Sequence, residues 1–171
     1  DVLVSTDHDY ITDFGPTIES LGAQSHIVSV IGEELTTFDY GHFNAFPLDH
    51  QPEDVNGGAL DWGDSENDNL HPAEIFAGLH AHSGEQVIQV NHAIGGYFGL
   101  TGLNAETGAT SADPSGFRIS MGDYPSSAED TGLFDEQWTA MELMNGLNGG
   151  RFYDLAAYWF TFMSRGLKRT G

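Results

Sequence analysis

A chain of 171 residues with an ordinary apolar fraction is long enough for one domain with a substantial core. Its 26 acidic residues against 5 basic ones give a formal charge of −21 and argue against duplex nucleic acid, since a polyanion would meet repulsion over most of the surface. No run approaches the roughly 18 to 20 apolar residues of a membrane span and no signal-peptide pattern opens the chain, so a soluble segment is expected, its acidity suiting a salty or extracellular setting.

In chain order, Val2–Ser5 reads as a strand running into Thr6-Asp7-His8. It starts with no methionine and no polar lead-in, as expected of a segment cut from something longer. Past the Gly15-Pro16 turn, a short helix carries Ile18 and Leu21. Ile27–Ile31 is a second strand ending at Gly32-Glu33-Glu34, and His42–Leu48 is a neighbouring third. The stretch 51–69 is rich in Asp, Asn and Gly and reads as a surface loop. His71-Pro72 opens a helix in which Ile75, Phe76 and Leu79 share a face. Val87–Val90 is the next strand, ending at Asn91-His92, and 95–132 reads as irregular or as small hairpins. Trp138–Met144 closes the strand set at Asn145-Gly146. Phe152–Met163 is a helix whose Leu155, Tyr158, Trp159, Phe162 and Met163 would cover a sheet, with Lys168 and Arg169 beyond its C-terminus. Short β runs alternating with helices predict an α/β protein with a largely parallel sheet or barrel.

With no cysteine, disulfides and thiolate zinc sites are excluded, so any transition metal must be held by histidine and carboxylate. His8, Glu34 and His92 stand at predicted strand ends, and His42 opens the strand after Glu34. In α/β barrels the C-terminal rim gathers residues that are far apart in sequence. Imidazoles and a carboxylate there supply N and O donors suited to Zn, Mn or Fe, and the two oxygens of Glu34 can bridge two ions. Ions so placed polarise a phosphoryl or carbonyl oxygen and bring the pKa of a bound water down towards about 7, which removes the need for a Ser or Cys nucleophile.

Ser5-Thr6-Asp7-His8-Asp9, Gly32-Glu33-Glu34, Gly41-His42-Phe43-Asn44 and Val90-Asn91-His92 resemble, in order, internal motifs of the PHP (polymerase and histidinol phosphatase) family. The Gly-His-Phe-Asn element and Glu-Leu-Met-Asn-Gly at 142–146 resemble its CehA/McbA-like branch most. The resemblance covers nearly the whole chain and implies a distorted (β/α)7 TIM-like barrel, present over 1–171 as one partial domain with two or three metal ions on its rim in the complete form. It implies that His8 holds one ion, that Glu34 bridges two others, and that His42 and His92 share one of that pair; Glu34 and His92 are the residues expected at the chemistry itself. The family's His-x-His strand before this segment and Asp-x-His strand after it are absent, although 165–171 resembles the approach to the latter, so impaired activity is expected of the segment alone. His92-Ala93 stands where many relatives have His-Pro.

Other histidines have simpler readings. His80-Ala81-His82 lies in a helix, where residues two apart diverge, and is expected on a solvated face. His71 belongs to a helix entry, and His26 and His50 to the surface. Asp61, Asp64, Glu66 and Asp68 lack the glycine and distant glutamate of an EF-hand and read as a solvated loop. Arg118 is a salt-bridge partner or a phosphate clamp. The function expected is a metal-dependent phosphoesterase on a small-molecule substrate; a carboxylic ester or carbamate hydrolase using the same ions is the alternative, and a non-catalytic acidic module holding calcium is the contrasting class.

Overall fold

The computed structural model describes residues 1–37, 40–62, 70–82, 86–110, 135–145 and 151–171. Strands β1 (Val2–Val4) and β2 (Val28–Val30) pair in parallel, with Val2 opposite Val28, and helix α1 (Gly15–Ser20) lies between them in sequence. A second sheet has the order β3 (Glu33–Thr36), β4 (His42–Phe46), β5 (Val87–Val90) and β6 (Ala140–Met141). Helix α2 (Pro72–His82) precedes β5, the single turn α3 (Tyr97–Leu100) follows it, and α4 (Phe152–Ser164) follows β6. No helix among the described residues is long and apolar enough to cross a membrane.

The fold is mixed α/β, as expected, but its sheets are not largely parallel. β3–β4 and β4–β5 are antiparallel, while β5–β6 is parallel. The β3–β4 connection, 37–41, is far too short for the crossover that parallel neighbours need. No closed barrel forms among the described residues; the strands make two open sheets joined by one parallel bridge, His8 to Glu34. In that bridge Glu34 N–H donates to the Asp7 carbonyl at 2.9 Å and Asp9 N–H to the Glu34 carbonyl at 3.0 Å.

Glu34 therefore lies inside a strand instead of beyond the end of one. Gly32 makes the break: a Cβ there would sit 2.6 Å from the Ala45 carbonyl oxygen and 2.8 Å from that of Ser5, so only glycine lets the chain leave β2 and enter β3 between those backbones. The strand expected at 138–144 is reduced to Ala140–Met141, and α3 occupies part of a stretch read as irregular. Of the remainder of that stretch, 111–132 lies outside the described residues.

Ile75, Phe76 and Leu79 on α2 are fully buried, as their spacing predicts. Phe76 meets Phe43 of β4 edge to face at 5.2 Å and Tyr97 at 5.8 Å, fixing α2 and α3 against the sheet. α4 buries Leu155 and Phe162, with Phe162 between Phe98 and Trp138, and its Tyr158 and Trp159 are packed against the core. Met163, expected on that face, is 42% exposed, because the buried stripe at 155, 158, 159 and 162 leaves it on the trailing side of the helix. Leu21 is likewise exposed, since α1 ends at Ser20, and Ile18 alone turns inward. Arg169 lies 4.5 Å over the Trp138 ring and donates to the Glu136 carbonyl, tying the tail beyond α4 to the lead-in of β6.

Candidate metal centre

The bridge between the sheets is where the candidate ligands meet. β1 delivers Asp7-His8-Asp9 alongside β3, and the tight β3–β4 turn brings His42 back opposite Thr36. Glu34 directs Oε1 to His42 Nδ1 at 2.9 Å and Oε2 to His8 Nε2 at 4.0 Å. One ligand atom from each of His8, Glu34 and His42 lies within 4.8 Å of the others, an arrangement that can hold a metal ion. The side chain of Glu34 is 17% exposed and that of His8 62%, so the carboxylate forms the floor and His8 the solvent side.

Thr36 positions His8: its Oγ1 lies 2.6 Å from His8 Nδ1 and 3.2 Å from the Glu34 carbonyl, which leaves Nε2 on the side that faces Glu34. Asp9, at φ +51°, accepts the Thr36 amide at 2.7 Å and so holds β1 to β3 just beside His8. Burial raises the Asp9 carboxyl above its ordinary value, with the Thr36 amide opposing and Asp61 adding to the rise.

His92 stands one ring further on, its centroid 4.7 Å from that of His42, outside the three-ligand group. Its backbone takes φ +33°, and its N–H donates to Glu142 Oε2 at 2.6 Å; Asn145 Nδ2 in turn reaches both Glu142 oxygens at 3.2 Å. Burial first, then His42, hold the His92 imidazole below its ordinary pKa, against the opposite pull of Glu142 and Glu34. A neutral ring keeps a lone pair for a cation or a proton. The resemblance assigns His8 and His42 to different ions, whereas here both face the same carboxylate.

The sequence motifs assign no role to Asp9, Thr36 or Glu142. Asp9 sits beside a quoted motif, and Glu142 opens the 142–146 run, but their partners are 27 and 50 positions away, beyond any local pattern. A pair of glycines completes the assembly. Gly41, at φ +85°, would place a Cβ 3.0 Å from the Gly96 Cα and 3.1 Å from the Tyr97 nitrogen, so bare backbone on both sides lets the His42 strand approach the His92 turn. Gly41→Ala is expected to destabilise the metal-free protein by about 1–3 kcal/mol, from the left-handed backbone and the crowding together. It should also weaken zinc binding by moving His42. Urea unfolding and a zinc titration test this, and an alanine variant matching the parent in both would refute the close-approach argument.

His80 does not lie on a purely solvated face: its Nδ1 is 3.2 Å from Gln86 Oε1 and its Nε2 3.1 Å from the Gln137 carbonyl, so it clasps α2 to the lead-in of β6. The His71 amide donates to Glu74 Oε2 at 2.8 Å, a helix-entry bond of the expected kind. His26 is exposed and His50 half-buried. Asp61 accepts from Asn56 Nδ2 at 3.3 Å; Asp64, Glu66, Asp68 and Arg118 lie outside the described residues. Comparison of the chain with family models, with curated proteins and with solved structures returns no match.

Proposed function

We propose that this chain is part of a metal-dependent hydrolase of small-molecule phosphoesters, built on a segment of a distorted (β/α)7 barrel of the PHP type. The observation that carries the reading is the meeting of His8, Glu34 and His42 donor atoms within 4.8 Å, from three segments of chain. Two imidazoles and a carboxylate fit Zn, Mn or Fe, and Nε2 of His8 is turned towards Glu34. The His8 to Glu34 bridge links the two sheets edge to edge, while the antiparallel β3–β4 and β4–β5 pairs depart from the parallel order of such a barrel.

A bound ion supplies Lewis acidity to a phosphoryl oxygen and acidifies water. The chain's own residues do the rest. Glu34 offers one oxygen towards each imidazole and fixes the spacing of the donors. Thr36 holds the ring of His8 through Nδ1. His92, kept neutral by burial, presents a nitrogen beside His42 that is open to a second cation or to a proton from the attacking water, which it can return to the departing alkoxide.

Zinc and manganese titrations of the chain, followed by assays with p-nitrophenyl phosphate, bis(p-nitrophenyl) phosphate and a naphthyl carbamate, test the proposal. Phosphate ester turnover that requires the metal is the expected result; uniform inactivity with metal bound, in a chain extended at both ends, would sink it. The formal charge of −21 favours a second reading, cleavage of uncharged carboxylic esters or carbamates, because such substrates escape the repulsion an anion meets. A calcium-holding module is disfavoured by the donors, since calcium takes oxygen ligands and this group is two-thirds nitrogen.

A further inference from the structure

Phosphate binding needs positive charge, and this chain has only 5 basic residues. Arg165 is paired with Glu136 at 3.2 Å, and Arg169 is engaged with Trp138 and the Glu136 carbonyl. Both lie, with Lys168, at the C-terminal end of α4. That helix has 13 residues, so at about 1.5 Å per residue its two ends are roughly 20 Å apart. Arg151 is at the opposite end, immediately before the first residue of α4.

Its surroundings connect it to the metal centre. Arg151 Nη1 lies 3.0 Å from where a Cβ on Gly95 would stand, so the guanidinium rests against Gly95. Gly95 belongs to the turn after His92, where the amides of Gly95 and Gly96 both donate to the His92 carbonyl, at 2.9 and 3.1 Å. A Cβ on Gly96 would be 3.5 Å from His92 Nδ1, which places the same turn against the imidazole itself. Arg151 is exposed and makes no ion pair or hydrogen bond among the described residues, in a chain with 26 acidic side chains.

We propose that Arg151 is the specificity-determining anion-binding residue of this centre, taking two non-bridging oxygens of a phosphate group whose third non-bridging oxygen faces the His8, Glu34 and His42 donors. The inference rests on the metal-hydrolase reading above. It selects phosphomonoesters, as dianions, over neutral esters. A guanidinium suits the task because its planar fork gives two parallel donors to a phosphate, which an ammonium cannot do.

The test is calorimetric titration of inorganic phosphate into the chain carrying stoichiometric zinc, with free zinc removed, at about 0.15 M salt so that the overall charge is screened. Arg151→Met should weaken phosphate binding about 10- to 100-fold, the loss expected for a charge-assisted contact, and Arg151→Lys should fall between the two. Zinc affinity in phosphate-free buffer should be the same for all three, because Arg151 touches no ligand. Equal phosphate affinity of the parent and Arg151→Met, or no phosphate binding by the parent, overturns the inference while leaving the metal reading standing. A parent that binds no zinc defeats the metal reading instead; phosphate titration of the metal-free chain then still decides Arg151, by the same comparison.

Discussion

Glu34→Ala is expected to lower zinc affinity by on the order of a hundredfold or more, since loss even of a residue that only orients a ligand costs 10- to 100-fold. Glu34 is the only oxygen donor in the group, and its two oxygens are what His8 and His42 face. Without it the imidazoles remain, with ring centroids 5.5 Å apart and no anion to offset the charge of the ion. The fold should survive, because β3 keeps its backbone pairing with β4 through Glu33–Thr36 and the Asp7–Asp9 bridge uses the Glu34 main chain, not its side chain. Metal content after dialysis and a competition titration with a chromophoric chelator measure the effect, and circular dichroism checks the fold. Parent-like zinc affinity in a folded alanine variant would mean that the carboxylate is not a ligand. His42→Ala should follow the same direction with a smaller loss, since His92 stands 4.7 Å behind it and can move up.

The residues that gather at this centre could be read from sequence because each lies in a short motif where backbone and chemistry coincide. α2 and β5 were legible for a different reason: their apolar spacing follows one period over a whole element, and the buried Ile75, Phe76, Leu79, Ile88 and Val90 answer to it. The β2–β3 boundary was not legible. Ile27–Ile31 reads as a strand with Gly32-Glu33-Glu34 as its rim, and only the approach of Ala45 and Ser5 to Gly32 separates β2 from β3 in a different sheet. The same event turned Glu34 from a rim residue into one inside a strand. Sheet direction was hidden because β4 and β5 are antiparallel despite a helix-bearing connection, a choice made by pairing partners and not by loop length. The Glu142 clamp on His92 joins residues 50 positions apart and has no sequence signature at all.

Glu33 makes the second large prediction, on stability. It neighbours Glu34 on β3 but, by strand alternation, points to the other face, where it is fully buried. Neither of its carboxyl oxygens reaches a donor at hydrogen-bonding geometry, and the Leu60 amide opposes the effect of burial without overcoming it. Burial first, and then the charges of Asp9 and Asp61, push its pKa from 4.5 to about 8. The folded chain therefore keeps this proton up to about pH 8, while the unfolded chain releases it near 4.5. Between those values the native state binds more protons than the unfolded one, so stability declines as pH rises through the window. At about 1.4 kcal/mol per unit the loss is on the order of 5 kcal/mol at most. Glu33→Gln removes this dependence but leaves a buried amide without partners, which costs about 1–3 kcal/mol at every pH. The two stability curves should cross: the parent is the more stable near pH 5 and the glutamine variant near pH 8.5. Urea unfolding of metal-free protein in chelator at pH 5, 7 and 8.5 measures the difference between them, in which the titration of the other carboxylates cancels. Parallel curves would show that Glu33 ionises alike in the folded and unfolded chain, and that the face of β3 opposite the metal centre is open to water.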